Sequence, residues 1–242
     1  MSRVVAALVL GVCIAACGTE TERRSAAEHG RDLFSSRETS ASGVNRFTCA
    51  TCHPNGRDPA GKIFPGYTLA GATTRPTFWG GQHSDLLRAI NTCRYYFMAA
   101  PSPWTGEEEQ AKAMYAFLES LPPDAPNALP FTIPEVITTA DDLPPGDAAR
   151  GKVVFDASCK TCHGEHRTGA GRLREGIPAL PDESVNIFKS SYNFTPTEIR
   201  MTFIEKVRHG PFLGVYGSMP LYSKEALSDA DLAALLAFLA LY

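Results

Sequence analysis

Two five-residue stretches constrain this chain more than anything else in it: Cys49-Ala50-Thr51-Cys52-His53 and Cys159-Lys160-Thr161-Cys162-His163. Each sets two thiols about one helical turn apart, with a histidine directly behind the second. Thiols so spaced reach the two vinyl groups of one porphyrin and form thioethers, and the histidine then falls beneath the iron. C-x-x-C-H is the attachment pattern of c-type haem. It predicts two covalently bound haem c groups, one on Cys49 and Cys52, the other on Cys159 and Cys162. His53 and His163 are the expected proximal iron ligands. The competing reading is a pair of C-x-x-C redox or metal sites that each happen to precede a histidine.

The chain has 242 residues, room for two domains of ~100 residues each with a leader and a connector. A mean hydropathy of −0.13 argues against a multi-span membrane protein. A net charge of −3 lacks the basic excess that nucleic-acid binding needs. Four of the seven cysteines belong to the haem motifs, and Cys13 and Cys17 lie in the leader. Cys93 is then left without a disulfide partner in the mature chain. A free thiol in an oxidising compartment calls for ligation, burial or reactivity.

Residues 1–17 read as a signal peptide, with Arg3 as its positive end and Val4 to Ala16 as an apolar run too short to span a bilayer. Ile14-Ala15-Ala16-Cys17 resembles a bacterial lipobox. The resemblance implies a lipid anchor at Cys17 and a periplasmic, lipid-anchored protein. Residue 18 is Gly rather than Asp, which by analogy with enteric sorting favours the outer membrane.

The remainder repeats itself. Gly30 and Phe34 recur as Gly151 and Phe155, Ala116-Phe117-Leu118 as Ala237-Phe238-Leu239, and Met98 as Met219, all at an offset of 121. The haem motifs are offset by only 110, because residues 35–48 carry 11 extra residues in the first copy. Landmarks in one order at one offset are a duplicated domain. The predicted fold is all-α: domain 1 over 25–121, a Pro-rich linker over 122–145 and domain 2 over 146–242.

Helices are expected from Ser25 to Ser36, from a Ser84 cap to Asn91, from near Thr105 to before Pro122, from Asp147 to Ala157, from Thr195 to His209, and from Ser228 onward. The stretches after each motif, to Gly81 and to Ser191, read as irregular chain around a haem. Phe131, Ile133, Val136 and Ile137 make the linker apolar enough to pack along both domains.

Gly151, Phe155, the second C-x-x-C-H, Ser218-Met219-Pro220 and the final Ala237-Phe238-Leu239 together resemble a class I cytochrome c domain, and 25–121 is similar with looser motifs. The resemblance implies that first and last helices cross near a haem edge. Gly30 with Phe34 and Gly151 with Phe155 would form the crossings, against Phe117 and Phe238.

Met219 is the expected distal ligand of the second haem, since a thioether suits an electron carrier's iron. Met98 keeps the same 18-residue spacing to Ala116 that Met219 keeps to Ala237. Yet Ile90-Asn91-Thr92-Cys93, with Met98 close behind, resembles the thiosulfate dehydrogenases and the haem-bearing A subunit of the Sox cytochrome. In those families the Cys is the distal ligand. Of their Cys-x-x-Arg-Ser-Met-Asn-Gly pattern this chain keeps the Cys and the Met but lacks the Arg and the polar Asn-Gly; it reads Cys93-Arg94-Tyr95-Tyr96-Phe97-Met98-Ala99-Ala100. Cys93 and Met98 stand as alternatives for the first haem.

His29, His83, His166 and His209 read as surface or propionate-contacting residues. Trp79, Trp104, Tyr95, Tyr96, Tyr192 and Tyr222 are expected to line haem pockets, and Arg75, Lys62, Arg167 and Arg172 are propionate candidates. The function expected is single-electron transfer between redox protein partners, with no substrate-transforming residues named. The alternative is a thiosulfate dehydrogenase-like oxidoreductase with the first haem as its catalytic centre.

Overall fold

The structure is a computed structural model and describes residues 24–56, 61–122, 130–136, 143–212 and 217–241. The signal peptide, Cys13, Cys17 and Ile137 lie outside the described residues. Among the described residues there is no strand, only an isolated bridge between Phe78 and His83. The fold is all-α, as expected. No described helix is long and apolar enough to cross a membrane.

In the first half, α1 (Ala26–Ser35) begins at a capping box: Ser25 and Glu28 satisfy each other's backbone N–H groups. A four-residue helix, α2 (Cys49–Cys52), carries the first motif. α3 spans Leu86–Tyr96 and α4 spans Glu109–Ser120. In the second half, α5 (Ala148–Val154) continues through a π-turn at Phe155–Cys159 into α6 (Lys160–His163), so the second motif is fused to its leading helix. α7 (Asp182–Tyr192), α8 (Pro196–His209) and α9 (Asp229–Phe238) follow.

The crossings expected from the repeat are present in both halves. A Cβ built at Gly30 would run into the Ala113 carbonyl and the Phe117 Cβ; one at Gly151 would meet the Ala234 carbonyl and the Phe238 Cβ. The ring pairs match as well. Phe34 and Phe117 stand 5.4 Å apart at 51°, Phe155 and Phe238 5.5 Å apart at 50°. Glycine is needed here because the partner helix's backbone occupies the space of a side chain. Each crossing anchors its own core: Leu33, Phe34, Trp104, Met114, Phe117 and Leu118 in the first half, and a larger cluster on Phe155, Ile199, Ile204, Leu232 and Leu236 in the second.

Three helix expectations need correction. α3 is capped by Asp85, not Ser84, through a 2.7 Å bond to the Arg88 N–H. It does not end near Asn91 but runs to Tyr96. The Asn91 amide is spent on a distant loop: Nδ2 donates to the Trp104 carbonyl and Oδ1 accepts the Trp104 N–H, both at 2.8 Å. An asparagine so engaged no longer competes with its own helix backbone. Secondly, the fourth helix begins at Glu109; the Glu108 carboxylate holds the Thr105 N–H and hydroxyl in the turn before it. Thirdly, the stretch read as irregular up to Ser191 contains α7. Asp182 and Glu183 sit at its positive end and Asn193 closes it at φ 54°.

The 11-residue insertion is not a solvent loop. It forms a 3-10 turn at Arg37–Thr39, and Thr39, Ser40 and Asn45 are buried. The described linker strip does touch both halves. Phe131 packs edge-on to Trp79 with centroids 6.3 Å apart, while Thr132 bonds the Glu225 carboxylate and accepts the Lys224 N–H. Ile133 and Val136, expected to pack, are exposed.

Candidate haem sites

The first motif opens onto a cavity of about 480 Å³, within the ~300–1,000 Å³ range of cofactor sites. Cys49, Cys52 and His53 line one side; Cys93, Phe97 and Met98 line another. The two rival sulfur residues therefore face the same space, and the helix correction explains how. Cys93 lies in the last turn of α3, and Met98 follows just past its end.

The His53 Nδ1 lies 2.8 Å from the Tyr67 carbonyl. A carbonyl only accepts, so Nδ1 carries the proton and Nε2 keeps its lone pair. Burial lowers the affinity of this imidazole for a second proton, overcoming the opposite pull of that hydrogen bond. Gly66 lies flat against the ring; a Cβ there would collide with Cε1 and Nδ1.

The second motif is built alike. The His163 Nδ1 lies 2.8 Å from the Pro178 carbonyl, and burial again holds the ring neutral against that bond. His163 and Cys159 are buried, and Met219 packs against the core cluster that contains Cys159. A histidine whose far nitrogen is fixed by a backbone carbonyl is how proteins orient a metal-binding imidazole.

The thiols argue against a dithiol redox site. Burial pushes Cys49 and Cys159 up to about 11, and burial with a neighbouring thiol pushes Cys93 up to about 12. Reactive C-x-x-C pairs need the reverse shift. Neutral thiols largely shielded from water, with Cys49 and Cys93 half-buried at the cavity and Cys159 buried in the second core, suit thioether formation and iron ligation.

Around the first cavity the insertion holds the sulfur-bearing segment. The Ser40 hydroxyl donates to the Met98 carbonyl, and the buried Arg94 donates from Nε to the Thr39 carbonyl at 2.9 Å. Arg94 also lies over the Trp104 ring, 4.0 Å from its centroid. Arg75 lines the cavity; its Nη2 is spent on the Thr68 and Ala70 carbonyls, but its buried Nε has no partner. An orphaned guanidinium nitrogen beside a haem-sized cavity suits a propionate. The volume, the Gly66 cradle and the orphaned Nε all fit a haem.

Several expected lining residues lie elsewhere. Tyr95, Tyr96 and Tyr192 are exposed, and Trp104 is in the core beneath Arg94. Trp79 does line the cavity, and Tyr222 is buried in the second core. Arg167 and Arg172 are paired with Asp182 and Glu183, and Lys62 is exposed. None of the four remaining histidines lines the described cavity. His29 faces Glu109 and His83 faces Thr92. His166 lies against the Phe238 ring. His209 is fully buried, with Nδ1 at Glu205 and Nε2 at the Pro134 carbonyl, so it ties α8 to the linker.

Sequence reasoning missed Gly66, Ser40 and Arg208. Arg208 is 1% exposed and donates to the carbonyls of Tyr222, Ser223 and Leu227 and to Asp229. It fixes the chain just past Met219. No motif announces such residues; only their distant partners do.

Residues 146–239 match the family model described as "Cytochrome C oxidase, cbb3-type, subunit III". This half is a cytochrome c domain. Cytochrome c domains carry covalently bound haem c and transfer single electrons between redox proteins. No curated protein matches the chain. Among solved structures, the thiosulfate dehydrogenase TsdBA from Marichromatium purpuratum in its "as isolated" form is similar at 19% identity and a TM-score of 0.42, over 88% of this chain and 45% of that one. This chain thus spans less than half the length of that protein.

Proposed function

We propose that the chain is an exported, membrane-anchored di-haem c-type cytochrome that passes single electrons between periplasmic or membrane redox partners. One observation carries the reading: both C-x-x-C-H histidines have Nδ1 held by a backbone carbonyl at 2.8 Å, which leaves Nε2 for iron. A haem bound at each site supplies a reversible one-electron couple. The chain's residues do the rest. Cys49, Cys52, Cys159 and Cys162 would tether it, His53 and His163 would ligate the iron, and Met219 would be a further ligand of the second haem. At the first haem that further ligand would be Cys93 or Met98. Cys17 supplies the lipid anchor, and sorting favours the outer membrane.

Intact-mass measurement of the mature protein tests the haem count: two haems are expected, and one overturns the reading. Spectra of Cys93→Ala and Met98→Ala decide the first distal ligand. The variant that alters the first haem's spectrum identifies it. Retention of lipid on a Cys17-initiated mature chain tests the anchor.

A second reading, a sulfur-compound oxidoreductase with the first haem as catalytic centre, is favoured by the Cys93 thiol in the first cavity. A buried thiolate is costly without a cation beside it, and ferric iron would supply one. If thiosulfate, tetrathionate and sulfite all leave the haem redox state unchanged, this reading falls.

A further inference from the structure

The short strip Met219–Tyr222 belongs to both sites. Met219 packs into the second core with Cys159. The next two residues, Pro220 and Leu221, are walls of the first cavity, where they face the space that Cys52 and His53 also line. Tyr222 then turns back into the second core, 6% exposed and packed in the same cluster as Cys159. Its hydroxyl donates to the Ser158 carbonyl at 3.0 Å, and its N–H donates to the Val207 carbonyl at 2.8 Å. The Ile63 N–H, donating to the Ala157 carbonyl at 3.2 Å, makes a neighbouring join across the same seam.

We propose that Tyr222, with Leu221 beside it, is the bridge by which single electrons cross between the two haem sites. The inference rests on the two-haem reading above. The step moves one electron from ferrous iron at one site to ferric iron at the other. No bond forms or breaks and no proton moves, so the hydroxyl keeps its bond to Ser158. What the bridge needs is packed atoms rather than a void: Leu221 supplies them at the wall of the first cavity and the Tyr222 ring in the core that holds Cys159.

Pulse radiolysis of the oxidised full-length protein injects one electron, and its redistribution is followed in the two haem spectra. Intact mass and redox titration are recorded on each variant. In Tyr222→Ala the redistribution is expected to be at least about tenfold slower, because a void strips its neighbours of contact atoms, while both midpoint potentials stay in place. Tyr222→Phe, which restores the ring, recovers the rate. Redistribution at the wild-type rate in Tyr222→Ala overturns the proposal, as does Tyr222→Phe remaining as slow as Tyr222→Ala. If Tyr222→Ala does not load both haems, Tyr222→Leu takes its place and is judged by the same outcomes. A wild-type protein whose mass shows a single haem overturns the two-haem reading and the bridge together; a loaded protein with an unaffected rate overturns the bridge alone.

Discussion

The Ser40 hydroxyl donates a 2.8 Å hydrogen bond to the Met98 carbonyl, both residues buried, across 58 positions of sequence. Ser40 belongs to the insertion that the second half lacks. The bond gives those extra residues a task, because it holds one of the two sulfur residues that face the first motif. Ser40→Ala is expected to cost about 1 kcal/mol, the usual net worth of such a bond. Urea unfolding checks the cost. The visible spectrum of the first haem should respond while that of the second does not.

Gly66 lies against the His53 ring with no room for a methyl group. Gly66→Ala should push the imidazole aside or force the loop outward, at about 1–3 kcal/mol. Loss of low-spin signal at the first haem alone, read by electron paramagnetic resonance, is the expected outcome. An unchanged spectrum would mean the cradle yields freely.

The crossings at Gly30 and Gly151 are equally tight, since backbone carbonyls rather than flexible side-chain ends fill the missing Cβ space. Gly151→Ala should destabilise the second half and Gly30→Ala the first, each by at least about 1–3 kcal/mol. Thermal unfolding followed separately at the two haem bands distinguishes them.

Glu225 ties the linker to the strip beyond Met219. The little desolvation it suffers would raise its affinity for a proton, but hydrogen bonds, first from the Thr132 hydroxyl and N–H and then from its own N–H and the Ser223 hydroxyl, outweigh this and bring the carboxyl down to about 2. A carboxylate depressed on folding adds stability above its unfolded value of ~4.3. That stability is lost as pH falls toward the folded value. The clamp should therefore weaken between about pH 4 and pH 2. Thr132→Val, which removes the hydroxyl bond, should raise the acid-unfolding midpoint, measured by circular dichroism; an unmoved midpoint refutes the clamp.

The helix crossings were legible because backbone contact demands glycine, and a duplicated glycine repeats at a fixed offset. The capping box at Thr195 and Glu198 was legible for the same kind of reason: it is local chemistry three residues long. What escaped depends on distant partners. Asn91 looked like a helix terminator until its amide met Trp104. Tyr95 and Tyr96 looked like pocket rings, but α3 extends far enough to turn both outward. The cavity's sulfur pair was visible as residues. Its holding by Ser40 and Arg94 was not, since an insertion has no counterpart in the repeat to be compared with.

Pro130 and Phe131 of the linker, with Pro220 and Leu221 from the far end of the chain, complete the wall of the first cavity. Gene duplication ordinarily leaves two copies that can be cut apart or shuffled. Here that modularity is gone. A fragment ending at residue 121 would lack part of the enclosure of its own cofactor site and open it to solvent. Whatever occupies that site is thus enclosed by residues from both ends of the chain, and a change at Pro220 or Leu221 is felt at the motif about 170 positions before it.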